Sequence, residues 1–210
     1  MAERTETTEM TEPARPAFTA LVVYRNPEYR FSFLYPEGWH ERELETDGLT
    51  GVIYAPRPDD TDTNFSVEVR EIGVEVAEDD LPELLAGALE GFRALPGVEI
   101  THEESYAIGT LIGLEIHAAY REGEARRVRW LRLLYRGTRQ FRMIAQGEAG
   151  DFAYWEPMLA QMMRTFRFGD WWADMLGEEW VPSLANEADD EGENPPPGPL
   201  STVRGDAKSG

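Results

Sequence analysis

The sequence contains no cysteine. That excludes disulfides, thiolate nucleophiles and thiolate metal sites. Lysine is almost missing as well: of 20 basic residues only Lys208 is lysine. Serine is sparse (Ser32, Ser66, Ser105, Ser183, Ser201, Ser209), and none stands in Gly-x-Ser-x-Gly, so there is no nucleophile elbow. Neither Gly-x-x-x-x-Gly-Lys-Ser/Thr nor Gly-x-Gly-x-x-Gly occurs, which leaves no sequence support for a phosphate cradle. Positive charge is short overall. Forty acids against 20 bases give a formal charge of −20, which repels nucleic acid and anionic membrane at long range. No stretch approaches the ~18 consecutive apolar residues of a membrane span. Met1 to Pro16 has no apolar run of the signal-peptide kind. The expectation is a cytoplasmic chain with no nucleic-acid partner and no membrane insertion.

Metal chemistry finds little to work with. The three histidines are His40, His102 and His117. His102-Glu103-Glu104 is not the His-Glu-x-x-His of zinc hydrolases. Glu115 and His117 share a strand face two residues apart, and the ordinary reading is a pair on a sheet surface. Asp59 to Asn64 places oxygens at alternate positions, yet it lacks the glycine and the terminal acid of an EF-hand loop and reads as an acidic turn. No cofactor is expected. Carboxylates abound, and spacing singles out no catalytic pair.

What is present begins with Tyr29-Arg30-Phe31-Ser32-Phe33-Leu34-Tyr35-Pro36-Glu37-Gly38-Trp39. Four rings of one parity fall on one face of a strand, Pro36 ends the ladder, and Trp39 anchors the reversed chain. The rest of the fold is expected to assemble on this strand. A first strand precedes it from Phe18 to Tyr24. Asp47-Gly48 predicts a hairpin between Arg42–Leu44 and Leu49–Tyr54. Phe65, Val67 and Val69 alternate with polar residues as a half-buried strand. A helix follows, with Asp80 at the N-cap and Glu83 completing a capping box. Its apolar stripe is Leu81, Leu84, Leu85, Ala88, Phe92 and Leu95, and Gly87 and Gly91 would allow the sheet to approach closely. Three more strands are expected across 98–147, with Gly109 and Gly113 punctuating the first two and turns at Arg121–Glu124 and at Arg136–Thr138. A second helix carries Trp155, Met158, Leu159, Met162 and Phe166, and Pro157 fits best as its first residue after a Glu156 cap. Strands and helices in segregated blocks predict an α+β fold: an antiparallel sheet with helices packed on it.

Phe31 to Trp39 resembles the opening motif of PsbP-like domains. The order of the remaining elements is similar too: a strand like Phe65-Ser66-Val67-Glu68-Val69, a helix, and a meander from Gly113–Ile116 to Phe141–Ala145. A closing helix ends at Thr165-Phe166. The resemblance covers about residues 18–168. It implies an α/β/α sandwich on a sheet of six or so strands, the fold of photosystem PsbP subunits, Ran-binding import factors and Eag-type effector chaperones. It implies protein binding and assembly rather than a shared catalytic motif.

Domain organisation follows from composition. Residues 1–17 read as a disordered arm and 18–168 as the domain. Residues 169–185 form an amphipathic segment, and 186–210 an acidic, proline-rich tail. Two candidate surfaces stand out. Trp171, Trp172, Met175 and Leu176 lie on one stripe with Phe168, either packed on the domain or docking a protein partner. Seven arginines crowd residues 126–142, and Arg127, Arg129, Arg132 and Arg142 are the candidate patch for an anion or an acidic partner. The other reading of that cluster is a solvated face with cross-strand pairs to Glu68, Glu71, Glu99 or Glu115. The function that fits best is a non-enzymatic protein-binding or assembly module. The alternative is an enzyme or small-ligand binder with its site in the sheet groove.

Overall fold

Hydrophobic alternation and glycine turns build two antiparallel sheets in the computed structural model, which describes residues 20–46 and 48–169. The smaller sheet joins β1 (Leu21–Asn26), β2 (Phe31–Pro36) and β10 (Arg167–Phe168), with β2 in the middle. The larger runs through β3 (His40–Thr46), β4 (Leu49–Ala55), β5 (Asn64–Glu71), β6 (Glu99–Ile108), β7 (Leu111–Glu122), β8 (Ala125–Arg136) and β9 (Arg139–Glu148). Its spatial order is β3-β4-β5-β9-β8-β7-β6. Residues 98–147 therefore hold most of four strands rather than three, because the two-residue turns at Gly109, Gly123 and Gly137 divide the stretch into four segments. Gly113 is no turn at all. It lies inside β7, where a Cβ would come within 2.5 Å of the Tyr106 ring, so the glycine lets that ring lie flat across the strand.

The helices α1 (Leu81–Arg93) and α2 (Ala149–Thr165) cover opposite faces of the large sheet, which makes the predicted α/β/α sandwich. One core lies on the α2 side. There Phe65, Val67, Phe141, Met143 and Ala145 meet Trp155, Leu159 and Met162 from α2. The other lies on the α1 side, where Leu81, Leu89 and Phe92 cover Ile112, Leu114 and Ile116. Strand alternation divides the two sets.

The aromatic strand is buried as its pattern predicts: Phe31 is 2%, Phe33 0% and Trp39 8% exposed. It is not the centre of the large sheet, however. Phe33 packs edge-on against Tyr54 and Phe65 at 5.7 and 5.3 Å between ring centroids, and Phe31 stacks on Phe166 at 5.2 Å. The Leu34 amide donates to Thr165 Oγ1 at 3.0 Å, tying the small sheet to the last turn of α2. Tyr29 sits in the preceding turn, where Arg30 adopts φ 52°, so only three of the four rings follow the strand alternation.

Three local expectations are corrected. Asp80 stands at the N-cap position of α1, as expected, but its side chain makes no cap hydrogen bond to the helix. Its carboxylate accepts from the Ala77 amide at 2.8 Å and closes a 3₁₀ turn over Glu78–Asp80 ahead of the helix. Pro157 lies inside α2, because burial of Phe152 and Trp155 (6% and 2% exposed) draws the helix start back to Ala149. Gly87 and Gly91 do not admit the sheet: a Cβ at either meets nothing within 4 Å.

Candidate binding surfaces

The arginines of β8 and β9 sort by parity. Arg127, Arg129 and Arg142 lie on the α1 side. Arg132 lies on the α2 side, opposite Met143 in the register. The four patch residues therefore do not form one surface: a single-residue step along a strand changes face, and 132 has the other parity.

Each of the four acids considered as cross-strand partners takes an arginine. Arg126 reaches Glu99 at 2.6 Å, Arg132 reaches Glu115 at 2.6 Å and Arg139 reaches Glu71 at 3.1 Å. Arg142 pairs with the buried Glu68 directly opposite it. Arg127 is held by Asp62 at 2.6 Å and Glu122 at 3.0 Å, and its pKa is raised chiefly by the hydrogen bond to Asp62. Arg129 differs. Its Nε donates to Gln146 Oε1 at 3.0 Å, and its guanidinium lies 5.1 Å from the centroid of the Tyr120 ring.

On the α2 side Arg132 forms a strap. Its guanidinium clasps Glu115 and donates through Nη1 to the Met163 carbonyl at 2.7 Å, linking the sheet to the last turns of α2. His117 Nε2 lies 2.6 Å from Glu115 Oε1, and the His117 ring stacks on Trp130 at 4.4 Å. Burial raises the Glu115 pKa, but the His117 hydrogen bond and the Arg132 charge outweigh it and hold the carboxyl at about 2. His102 flanks His117 at 4.9 Å between rings. Among the described residues no group of three or more His, Asp or Glu side chains is placed to hold a metal ion. No helix among them is long and apolar enough to cross a membrane.

Two of the concavities among the described residues combine apolar and charged lining. A groove of about 290 Å³ runs on the α1 side between Gly91 and Leu95 of the helix region and Arg129, Leu131, Arg142 and Ile144 of the sheet. It exists because α1 packs chiefly on β6 and β7: Leu133 and Tyr135 of β8 are buried in the α1-side core, while Leu131 of β8 and Ile144 of β9 are covered only in part. Sequence reasoning missed it: the apolar side chains of β8 and β9 alternate on both faces, and nothing local says which face a helix will cover. A larger cavity of about 970 Å³ opens at the hairpin end on the α2 side, with Tyr29, Phe141 and Phe168 beside Arg136 and Arg139. Trp171, Trp172, Met175 and Leu176 lie outside the described residues, as do the N-terminal arm and the acidic tail.

The sequence matches no family model and no curated protein. Solved structures do match. The cyanobacterial PsbP protein CyanoP of Synechocystis sp. PCC 6803 aligns with a TM-score of 0.52, over 76% of this chain and 98% of its own, at 13% identity. The fold is PsbP-like. LpqN of Mycobacterium tuberculosis, involved in cell envelope biogenesis, aligns at TM-score 0.47 and 12% identity over 71% of this chain and 91% of its own. The Ran-binding protein Mog1p of Saccharomyces cerevisiae aligns at 0.45 and 16% identity over 72% of this chain and 96% of its own. A PsbP-like fold at this identity fixes the layers and leaves the side chains of the groove and the cavity to be read from this chain alone.

Proposed function

We propose that this chain is a protein-binding module of PsbP-like fold, and that its α1-side groove takes a segment of a partner protein bearing apolar side chains next to a carboxylate. The observation that carries the reading is the partly covered strip of β8 and β9. Leu131 and Ile144 are half-buried there, with Arg129 between them and the outer strand ends. Apolar side chains that the fold covers only in part favour a partner's apolar surface. Arg129 supplies orientation: its present contacts are a glutamine oxygen and an aromatic face, so an incoming carboxylate gives it a stronger, charge-assisted bond. Gly91 adds room, since the helix surface is bare of side chain where the groove begins. A nucleic-acid partner fits poorly. Arg127 and Arg142 are already neutralised by carboxylates, and the chain carries 40 acids against 20 bases. Binding without catalysis is the natural role of such a strip, whose polar groups hold one another and converge on no reacting atom.

The test is affinity capture from the native host with the wild-type chain and with Arg129→Glu. The substitution is expected to leave the melting temperature within about 2 °C, as for a surface change, and to abolish capture of the specific partner. Recovery of the same partner at the same yield refutes this use of the groove.

A further inference from the structure

The cavity at the hairpin end is unrelated to the α1-side groove and asks for its own occupant. It is bounded by the β1–β2 turn at Tyr29 and Arg30, by the β5–α1 loop around Val76 and Ala77, and by the β8–β9 hairpin at Arg136 and Arg139. Its floor includes Phe141 and Phe168. Two of the largest exposed apolar side chains stand next to its lining residues in sequence: Val74 is 62% and Ile108 69% exposed. Apolar surface thus gathers around an open concavity at one end of the domain.

The chain itself leaves from this place. Gly169 lines the cavity, and its amide donates to the Arg30 carbonyl at 2.7 Å, which fixes the exit direction beside the rim. The sequence that follows is Asp170-Trp171-Trp172-Ala173-Asp174-Met175-Leu176-Gly177. Only Asp170 separates the rim from the first tryptophan. Six residues from Gly169 to Met175 span at most ~20 Å when fully extended, so the segment cannot travel far from the cavity. Trp171, Trp172, Met175 and Leu176 are spaced to share one side, and each tryptophan carries ~150–250 Å² of surface to bury. The lining charges are mixed, with Glu28, Glu75 and Glu78 against Arg30, Arg136 and Arg139, and Arg139 is already paired with Glu71. Arg136 stacks 4.9 Å above the Phe168 ring, beside the point where the chain leaves. A segment tethered this closely has an effective concentration in the millimolar range without any partner.

We propose that the hairpin-end cavity is the docking site of the chain's own Trp171–Leu176 segment, bound in cis, with the two tryptophans entering the cavity and Asp170 beside Arg136.

The absence of native cysteine makes a clean test. Ala77→Cys, at an exposed lining position, is combined with Met175→Cys in the full chain. The control pair is Arg70→Cys with Met175→Cys: Arg70 is exposed near the same end of the sheet but on the α1 side. Under mild oxidation the cavity pair is expected to form an intramolecular disulfide on the order of tenfold faster than the control, as expected for a segment held there rather than merely tethered. Equal rates for the two pairs overturn the proposal, leaving the cavity to another ligand. Disulfide-linked dimers as the main product also overturn it, since the segment then sits on a second copy. Loss of partner capture by Arg129→Glu bears on the α1-side groove alone, so the two readings fail separately.

Discussion

Glu115→Gln probes the strap that joins the sheet to α2. In the wild type Glu115 accepts from Arg132 through Nε at 2.7 Å and lies 2.6 Å from His117 Nε2, with its side chain 14% exposed. Burial opposes the charge, while His117 and Arg132 favour it more strongly, so the carboxyl falls from 4.5 to about 2. At 1.36 kcal/mol per pH unit that depression corresponds to about 3 kcal/mol, and solvent screening brings the expected contribution to about 2 kcal/mol. The sign follows from linkage. A carboxyl with a depressed folded pKa binds fewer protons when native than when unfolded, so its stabilisation is complete above about 4.5 and disappears as the pH falls towards 2. The other 39 acids titrate in both proteins, so the absolute stability curve is uninformative and the difference between the two isolates this one. Urea denaturation at pH 7, 4.5, 3.5 and 2.5 should show Glu115→Gln less stable by about 2 kcal/mol at pH 7, with the gap closing towards zero at the lowest pH. A gap that stays constant across that range refutes the assignment of the stabilisation to the ionised carboxylate.

Two further outcomes follow from packing. Gly87→Ala and Gly91→Ala should each stabilise the chain by about 0.8–1 kcal/mol in urea melts, because the new Cβ meets nothing within 4 Å and the helix gains propensity; destabilisation at either would mean that the helix face is covered. Trp39→Ala should cost about 3–5 kcal/mol. Its ring is 8% exposed and meets Trp155 edge-on at 6.0 Å. An unchanged denaturation midpoint would contradict the role of this anchor.

The parts of the fold that local chemistry controls were legible in the sequence. Alternation placed Phe31, Phe33, Phe65, Val67 and Val69 in strands, and glycine turns punctuated the meander. The two apolar stripes marked both helices. The cross-strand acids Glu68, Glu71, Glu99 and Glu115 were likewise readable as arginine partners, because a sheet puts long charged side chains within mutual reach. What could not be read depends on non-local choices. Assignment of the aromatic strand to a separate small sheet is decided by pairing with Arg167 and Phe168, more than 130 residues away in sequence. Arg132 was grouped with Arg127, Arg129 and Arg142 because sequence proximity ignores the face change at each residue. Pro157 looked like a helix start by propensity, but the burial of Phe152 and Trp155 outweighed it. The groove beside α1 was invisible because its existence depends on which strands the helix leaves partly covered.

The most direct measurement is hydrogen exchange on the chain alone and bound to the partner that wild type captures and Arg129→Glu does not. Binding through the groove predicts new protection in residues 88–95 and in the β8 and β9 stretches 129–133 and 140–144, which border it. Protection confined to other surfaces, such as the β3 edge, with these stretches unchanged, would contradict the account.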